Sequence, residues 1–492
     1  MFPIDEYRRA FEWVLETDGA QALQYGPSEG YRPLRALLAD RLSGFGMSCE
    51  PDDILITNGS QQALDLIGKV FLEPGDSVLV EKPTYLGALQ AFNQYEPTYV
   101  TVPMDDDGML VDDVEQLLFH QRTAQSIKFI YTVPNFQNPT GRTMSLKRRR
   151  RLVALASRFG VPIVEDDPYG ELRYDGQALP TLKALDTGGS VIYLGTFSKI
   201  LAPGFRLGWI LACPEIMETL LHGKQPSDLH TGMAQQMATY QVAKDGFVDR
   251  HVEHVKNFYR ERRDVMLRAI EEHFPAEVHY TRPAGGLFVW VELPRYIDTR
   301  ELLIDAIQAK VAFVPGQGFH PDLSGTNTMR LNFSNVPPDQ LREGIRRLGY
   351  AIQRRVKEET VAGSRIPRQA ANRLYTHWLE TDLAPAALGD LLAQLHPQAE
   401  PADVRSGVIG LSWTVRGDAT ALSTYWIEQS PPVVEVTYRV LALATRTDIL
   451  PRTLVGIITP SASHVRLVAE ELSRRLLAHV RVESTGSAPS EI

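Results

Sequence analysis

Hydrophobic positions along the first 350 residues fall in short apolar runs separated by longer amphipathic stretches. That rhythm marks alternating strands and helices, because a strand covered on both faces reads as unbroken apolar sequence and a surface helix does not. "DILITNG" (53–59) predicts a strand, "SQQALDLIGKVFL" (60–72) a helix, and "PGD" the turn into a strand at "SVLVEKP". The pattern returns in "KFIYTVP" (128–134), a helix over 145–159, and strands at "VPIVEDDPY" and "SVIYLGTFSK". A long charged helix is expected over 247–273, and "GGLFVWVELP", "AFVPGQGF" and "TMRLNFS" predict strands of a smaller lobe. The expected class is α/β: a large domain on a mostly parallel sheet, with a smaller α+β domain.

A boundary is expected near "VKEETVAGSRIPRQ" (356–369), where Gly, Ser and Pro gather. Lys357 is the last lysine, and from Arg365 onward 12 Arg face 13 Asp plus Glu. Such a shift in usage predicts two domains, 1–360 and an accessory α+β domain over 365–492, with the large lobe of the first at about 45–250. Within the accessory domain "VVEVTYRVLALAT" and "TLVGIITP" read as strands and "HVRLVAEELSRRLLAHV" as an amphipathic helix. Its role is not readable from these features.

Composition narrows the picture only a little. The 492 residues are 43% hydrophobic and 23% charged, as in ordinary globular proteins, and exceed one usual domain. A formal charge of −9 argues against general nucleic-acid binding. Two cysteines, Cys49 and Cys213, are too few for a disulfide framework and fit a reducing cytoplasm. The opening "MFPIDEYRRAFEWVLETDG" lacks a basic stretch followed by an apolar one, so no signal peptide is predicted. No apolar run is long enough to predict a membrane span. The run "KRRRR" (147–151) lies on an expected helix and reads as a solvated face rather than a DNA contact.

Four segments carry candidate chemistry. In "TNGSQQ", Gly59, Ser60 and Gln61 sit where a strand turns into a helix, leaving N–H groups open to a phosphate; taken alone, Ser60 reads more readily as an N-cap. In "NFQNPTG", Asn138 follows an apolar strand and either marks a turn or points into the crevice where open α/β sheets bind ligands. "VEDDPYGE" ends a buried strand in carboxylates, with Tyr169 close behind. No His or Cys lies at ligand spacing, so no metal is expected there, and pairing with a protonated heterocyclic nitrogen is the sharper option. "LGTFSKILAPGFRLGW" surrounds Lys199 with Thr196, Ser198 and Arg206, which by itself reads as a surface lysine or as an amine held for chemistry.

Together with "LQYGPSEGYRPLR", "EKPTYLG", "GGLFVWVELP" and "MRLNFS", these motifs closely resemble the pyridoxal-phosphate enzymes of fold type I, the class I/II aminotransferases. The sequence is most similar to the branch of 2-aminoadipate, kynurenine and multi-substrate aromatic and branched-chain aminotransferases. The resemblance spans about Phe2 to Tyr350, with the motifs in the family's order. It implies that Lys199 forms the internal imine with pyridoxal phosphate and later shuttles a proton, which needs a deprotonated amine. It further implies that Asp166 keeps the pyridine nitrogen protonated and that Asn138 and Tyr169 bond the ring's phenolic oxygen. Thr196, Ser198, Arg206 and the turn at Gly59, Ser60 and Gln61 would hold the phosphate, while Tyr85 would stack on the ring. Tyr25 matches a tyrosine that reaches a neighbour's phosphate, implying a homodimer with shared sites. Arg330 matches the arginine that grips the substrate α-carboxylate, two parallel hydrogen bonds that lysine does not reproduce; by itself it reads as an edge-strand arginine in a surface salt bridge.

The implied activity is ping-pong transfer of an amino group from an L-amino acid to a 2-oxo acid, usually 2-oxoglutarate. Family members usually carry a further N-terminal arm before the equivalent of "FPIDEYRRAF", forming one wall of the substrate pocket, so the side-chain preference stays open. Alternatives are another reaction of the same cofactor, such as decarboxylation or β-elimination, and a sensor of pyridoxal phosphate or an amino acid that signals through residues 365–492.

Overall fold

Runs such as "ILIT", "SVLVEK" and "VIYLGT" have almost no polar side that water could cover, so each must sit inside a sheet covered on both faces. In the computed structural model, which describes residues 2–120, 127–362 and seven strands between 375 and 483, they do. The strands are β1 (Ile54–Thr57), β2 (Ser77–Lys82), β3 (Thr98–Asp105), β4 (Gly108–Met109), β5 (Ile127–Thr132), β6 (Ile163–Asp166), β7 (Val191–Thr196) and β8 (Gly208–Leu211). Their spatial order is β1-β8-β7-β6-β5-β2-β3-β4. The central strands run parallel, and β8 lies antiparallel between β1 and β7. The expected mostly parallel sheet is therefore observed, with three strands, β3, β4 and β8, that the apolar pattern did not single out.

Contacts divide the chain into two units, residues 1–356 and 357–492. In the first, a smaller antiparallel sheet has the order β11-β12-β10-β9, from β9 (His279–Tyr280), β10 (Phe288–Glu292), β11 (Val314–Pro315) and β12 (Thr328–Asn332). The charged helix expected over 247–273 spans Phe247–His273 and buries Val252, Val255, Tyr259, Met266 and Ile270. Spacings of three, four and seven residues put these on one stripe, which is why a helix with so many charges still packs. β12 is flanked by both β10 and β11, so Arg330 is not on an edge strand.

In the second unit, past the end of helix Pro338–Ala362, the described elements are strands of one sheet. Only Val408–Arg416 and Arg439–Thr445 pair in parallel; the remaining pairs are antiparallel. All but the last residue of "TLVGIITP" and the second half of "VVEVTYRVLALAT" fall on strands; that last residue and the helix expected at "HVRLVAEELSRRLLAHV" lie outside the described residues. Among the described residues no helix is long and apolar enough to cross a membrane.

Candidate active site

Parallel strands end together, so residues just past their C-termini collect at one edge of the sheet, where an open α/β sheet has its crevice. Asp166 ends β6, Thr196 ends β7, and Asn138 follows β5 by six residues. A cavity of about 450 Å³ opens there. It is lined by Ser60, Gln61, Tyr85, Asn138, Asp166, Tyr169, Thr196, Ser198, Lys199, Arg206 and Arg330. Of the expected residues, Gly59 does not line the cavity but packs against Arg206, which does. Tyr25 is 78% exposed, outside the cavity, with its ring centroid 5.9 Å from that of His230 in an edge-on arrangement.

Lys199 has neither a hydrogen bond nor an ion pair among the described residues. Burial, then Arg206 and Arg330, push its amine below the usual lysine range against the pull of Asp166. Asp166 is almost fully buried, and one oxygen accepts a 2.9 Å hydrogen bond from the Tyr131 hydroxyl. Its other oxygen, Oδ1, has no partner among the described residues. Burial raises its carboxyl to about 7, with Asp167 adding to the rise and Tyr131 and Lys199 opposing it. A half-satisfied buried carboxylate of this kind suits a cationic N–H, which the protonated ring nitrogen of pyridoxal phosphate offers.

The phosphate end is equally prepared. Helix Gly59–Phe71 begins at the cavity, and Ser60 lies inside its first turn, not at the N-cap, which is Asn58. The Ser60 hydroxyl is buried without a partner among the described residues. Thr196 Oγ1 donates to the Leu207 carbonyl at 3.0 Å and lies 2.9 Å from Ser198 Oγ. Arg206, at φ 54°, folds its guanidinium back over Gly59, where a Cβ would sit 2.5 Å from Nη2. Gly208 lets β8 approach the helix start, since a Cβ there would lie 2.8 Å from Gly59 C and 2.9 Å from the Ser60 nitrogen. Open N–H groups, an unpartnered hydroxyl and an arginine form an anion cradle. The residues present thus fit both ends of pyridoxal phosphate.

Arg330 donates to Asn138 Oδ1 at 2.8 Å and lies over the Phe288 ring at 4.3 Å. Its Nε is buried and unpartnered, and among the described residues no carboxylate pairs with it, so the surface salt bridge is replaced by a guanidinium facing the cavity. Asn138 Nδ2 reaches the Tyr169 hydroxyl at 3.5 Å. Among the described residues no group of three His, Cys, Asp or Glu could hold a metal ion.

Two site-supporting residues escaped the sequence. Tyr131 sits in the apolar run "KFIYTVP" and reads there as core. Arg149, within "KRRRR", is fully buried; it donates to the carbonyls of Met144, Pro134 and Pro180 and to Asn135 Oδ1 at 2.6–3.0 Å. The run is therefore not wholly a solvated face. Only its spacing of three before the apolar Leu152 and four before Val153 hinted that Arg149 points inward.

Comparison with known proteins identifies the family. Residues 3–348 match the family model described as aminotransferase class I and II. The aromatic-amino-acid aminotransferase 1 of Thermococcus litoralis is 49% identical over 359 residues, 73% of this chain and 86% of that protein. The solved kynurenine aminotransferase of Pyrococcus horikoshii is 48% identical with a TM-score of 0.70, covering 72% of this chain and 88% of that one. The alpha-aminoadipate aminotransferase of Thermus thermophilus, solved with N-(5'-phosphopyridoxyl)-L-leucine, is 42% identical with a TM-score of 0.69, covering 73% and 90%.

Proposed function

The chain belongs to the class I and II aminotransferases and is a pyridoxal-phosphate-dependent transaminase; from that premise we propose its substrates, its working residues and its assembly. The donor is an L-amino acid with a large side chain, aromatic or long and acidic, as named for its relatives. The acceptor is 2-oxoglutarate, and the reaction is ping-pong. When bound, pyridoxal phosphate supplies the aldehyde that captures the amino group and the ring that draws electrons from the donor's Cα.

The protein's own groups do the rest. Lys199 Nζ anchors the cofactor and then takes the proton from the donor's Cα; a burial-lowered amine can be neutral when needed. Asp166 Oδ1 holds the proton on the ring nitrogen. Asn138 and Tyr169 bond the phenolic oxygen, and Tyr85 covers the ring face. Ser60, Gln61, Thr196, Ser198 and Arg206 bind the phosphate, with Gly59 giving the turn room. Arg330 binds the α-carboxylate and, with Asn138 fixing its fork, orients the Cα–H bond. Exposed Tyr25 is the residue offered to the partner's site in a homodimer. Residues 365–492 are an accessory domain, and the enzyme is cytoplasmic.

One observation carries this reading: an unpaired lysine amine, a half-satisfied buried carboxylate and an arginine without a carboxylate partner meet on one cavity. The test is glutamate production from 2-oxoglutarate with a panel of L-amino acids. Phenylalanine, tyrosine, kynurenine or 2-aminoadipate is expected to lead. No glutamate with any donor, or loss of carbon dioxide instead, would contradict it.

A further inference from the structure

Beneath the phosphate turn, and outside the cavity, lies a second charged cluster that none of the roles above uses. The Lys224 side chain is fully buried. Its Nζ donates to both oxygens of Asp228 at 2.9 Å, to Gln62 Oε1 at 3.0 Å and to Thr231 Oγ1 at 3.2 Å. Asp228 Oδ2 in turn accepts from Asn58 Nδ2 at 2.6 Å and Gln62 Nε2 at 2.7 Å. Gln62 Oε1 also accepts from the Asn58 backbone N–H at 2.7 Å.

Asn58 and Gln62 bracket Gly59, Ser60 and Gln61. The Asn58 carbonyl also accepts from Arg206 Nη2 at 3.4 Å. We propose that the Lys224–Asp228 pair is a positioning element for pyridoxal phosphate, fixing Asn58 and Gln62 so that the first turn of helix Gly59–Phe71 stays aimed at the phosphate. This rests on the phosphate site assigned above.

Charge gives the pair a second effect. A lone carboxylate beside a helix N-terminus would use up its positive end and repel a phosphate. Paired with Lys224, Asp228 holds the turn by hydrogen bonds while adding little net charge. The segment that follows is bent sharply, with Leu229 at φ 64° and ψ −58°, a strained conformation for a branched residue. It delivers His230 to Tyr25 and Thr231 to the Ile56 carbonyl. The same few residues therefore join the cofactor turn to the surface from which Tyr25 projects.

The test is the dissociation constant for pyridoxal phosphate, read by absorbance on cofactor-stripped full-length protein. Lys224→Met is expected to weaken binding about 10–100-fold, the range for partners that orient a ligand-binding group. Asp228→Asn, which leaves no bare anion near the phosphate, is expected to lose less. With the cofactor saturating, KM for the amino acid should stay within about twofold of the parent, since no substrate contact is lost. The double variant Lys224→Met/Asp228→Asn buries no charge, so it is expected to fold even where a single one fails. It should still bind the cofactor more weakly than the parent.

Parent-like cofactor affinity in the folded double variant, or lowered melting temperatures with unchanged affinity in both single ones, would overturn the proposal. Ser60→Ala separates the two levels of inference. If it weakens cofactor binding while the pair variants do not, only the positioning role fails. If neither it nor they change affinity, the phosphate assignment fails with it.

Discussion

At the scale of single residues the site is governed by groups left incomplete. Asp166 is joined by two further buried carboxyls, Glu81 raised to about 7 and Glu165 to about 8, each lifted chiefly by desolvation. In the unfolded chain all three titrate near the ordinary value of about 4. Their folded values lie higher, so the native state binds more protons between about pH 4 and 8. Their contribution to stability is complete below that window and is lost as pH rises through it. Asp166→Asn removes one such group. In cofactor-free protein its melting temperature relative to the parent is expected to be higher at pH 8 than at pH 5, measured by calorimetry; a pH-independent difference would contradict this. Arg330→Lys keeps the charge but loses the planar fork. We expect kcat/KM for the amino acid to fall about 10–100-fold, the loss of a charge-assisted bidentate bond, with cofactor affinity unchanged.

The residues legible in the sequence were those at strand ends inside punctuated motifs, because a polar group after an apolar run has few structural reasons to be there. Tyr131, Arg149 and Lys224 were hidden for the opposite reason. Each lies within a helix or strand whose pattern already accounts for it, and only the packing of distant segments brings partners to it. Lys224 meets Gln62 across 162 positions, and Tyr131 meets Asp166 across 35.

Among elements, the decisive contact is the start of helix Gly59–Phe71 against β8. The parallel strands β2, β5, β6 and β7 were readable because they are mostly apolar, whereas β3, whose "TYVTVPMD" mixes polar and apolar positions, was not. β8 was not, because "GWIL" follows directly on the loop that carries Arg206 and no turn residue separates them in the pattern. Its antiparallel placement brings Gly208 against the phosphate turn. Gly208→Ala would put a methyl group against backbone, which cannot rotate away. We expect a stability loss of about 1–3 kcal/mol, as for overpacking elsewhere. Denaturant unfolding of the cofactor-free protein measures the first effect. Weaker pyridoxal phosphate binding is the second, because the Ser60 N–H must shift. Substitution at Gly204, whose Cβ would meet nothing within 4 Å, is the matched control and should do neither.

For the molecule as a whole, the catalytic machinery described lies within residues 1–356. A chain ending at residue 362 is expected to bind pyridoxal phosphate as the full chain does, since no assigned site residue lies beyond Arg330. Tyr25 and the homodimer are tested together by sedimentation, where a monomer that is fully active at all concentrations would remove the shared-site role. The central claim is that Lys199, served by Asp166 and Arg330, runs two half-reactions on one cofactor. The most direct measurement follows the absorbance of bound pyridoxal phosphate after adding one L-amino acid without acceptor, then 2-oxoglutarate. The account predicts that the band disappears in the first step, returns in the second, and does neither at a comparable rate in Lys199→Ala. A band that persists through every amino acid, or a Lys199→Ala protein that cycles like the parent, would contradict it.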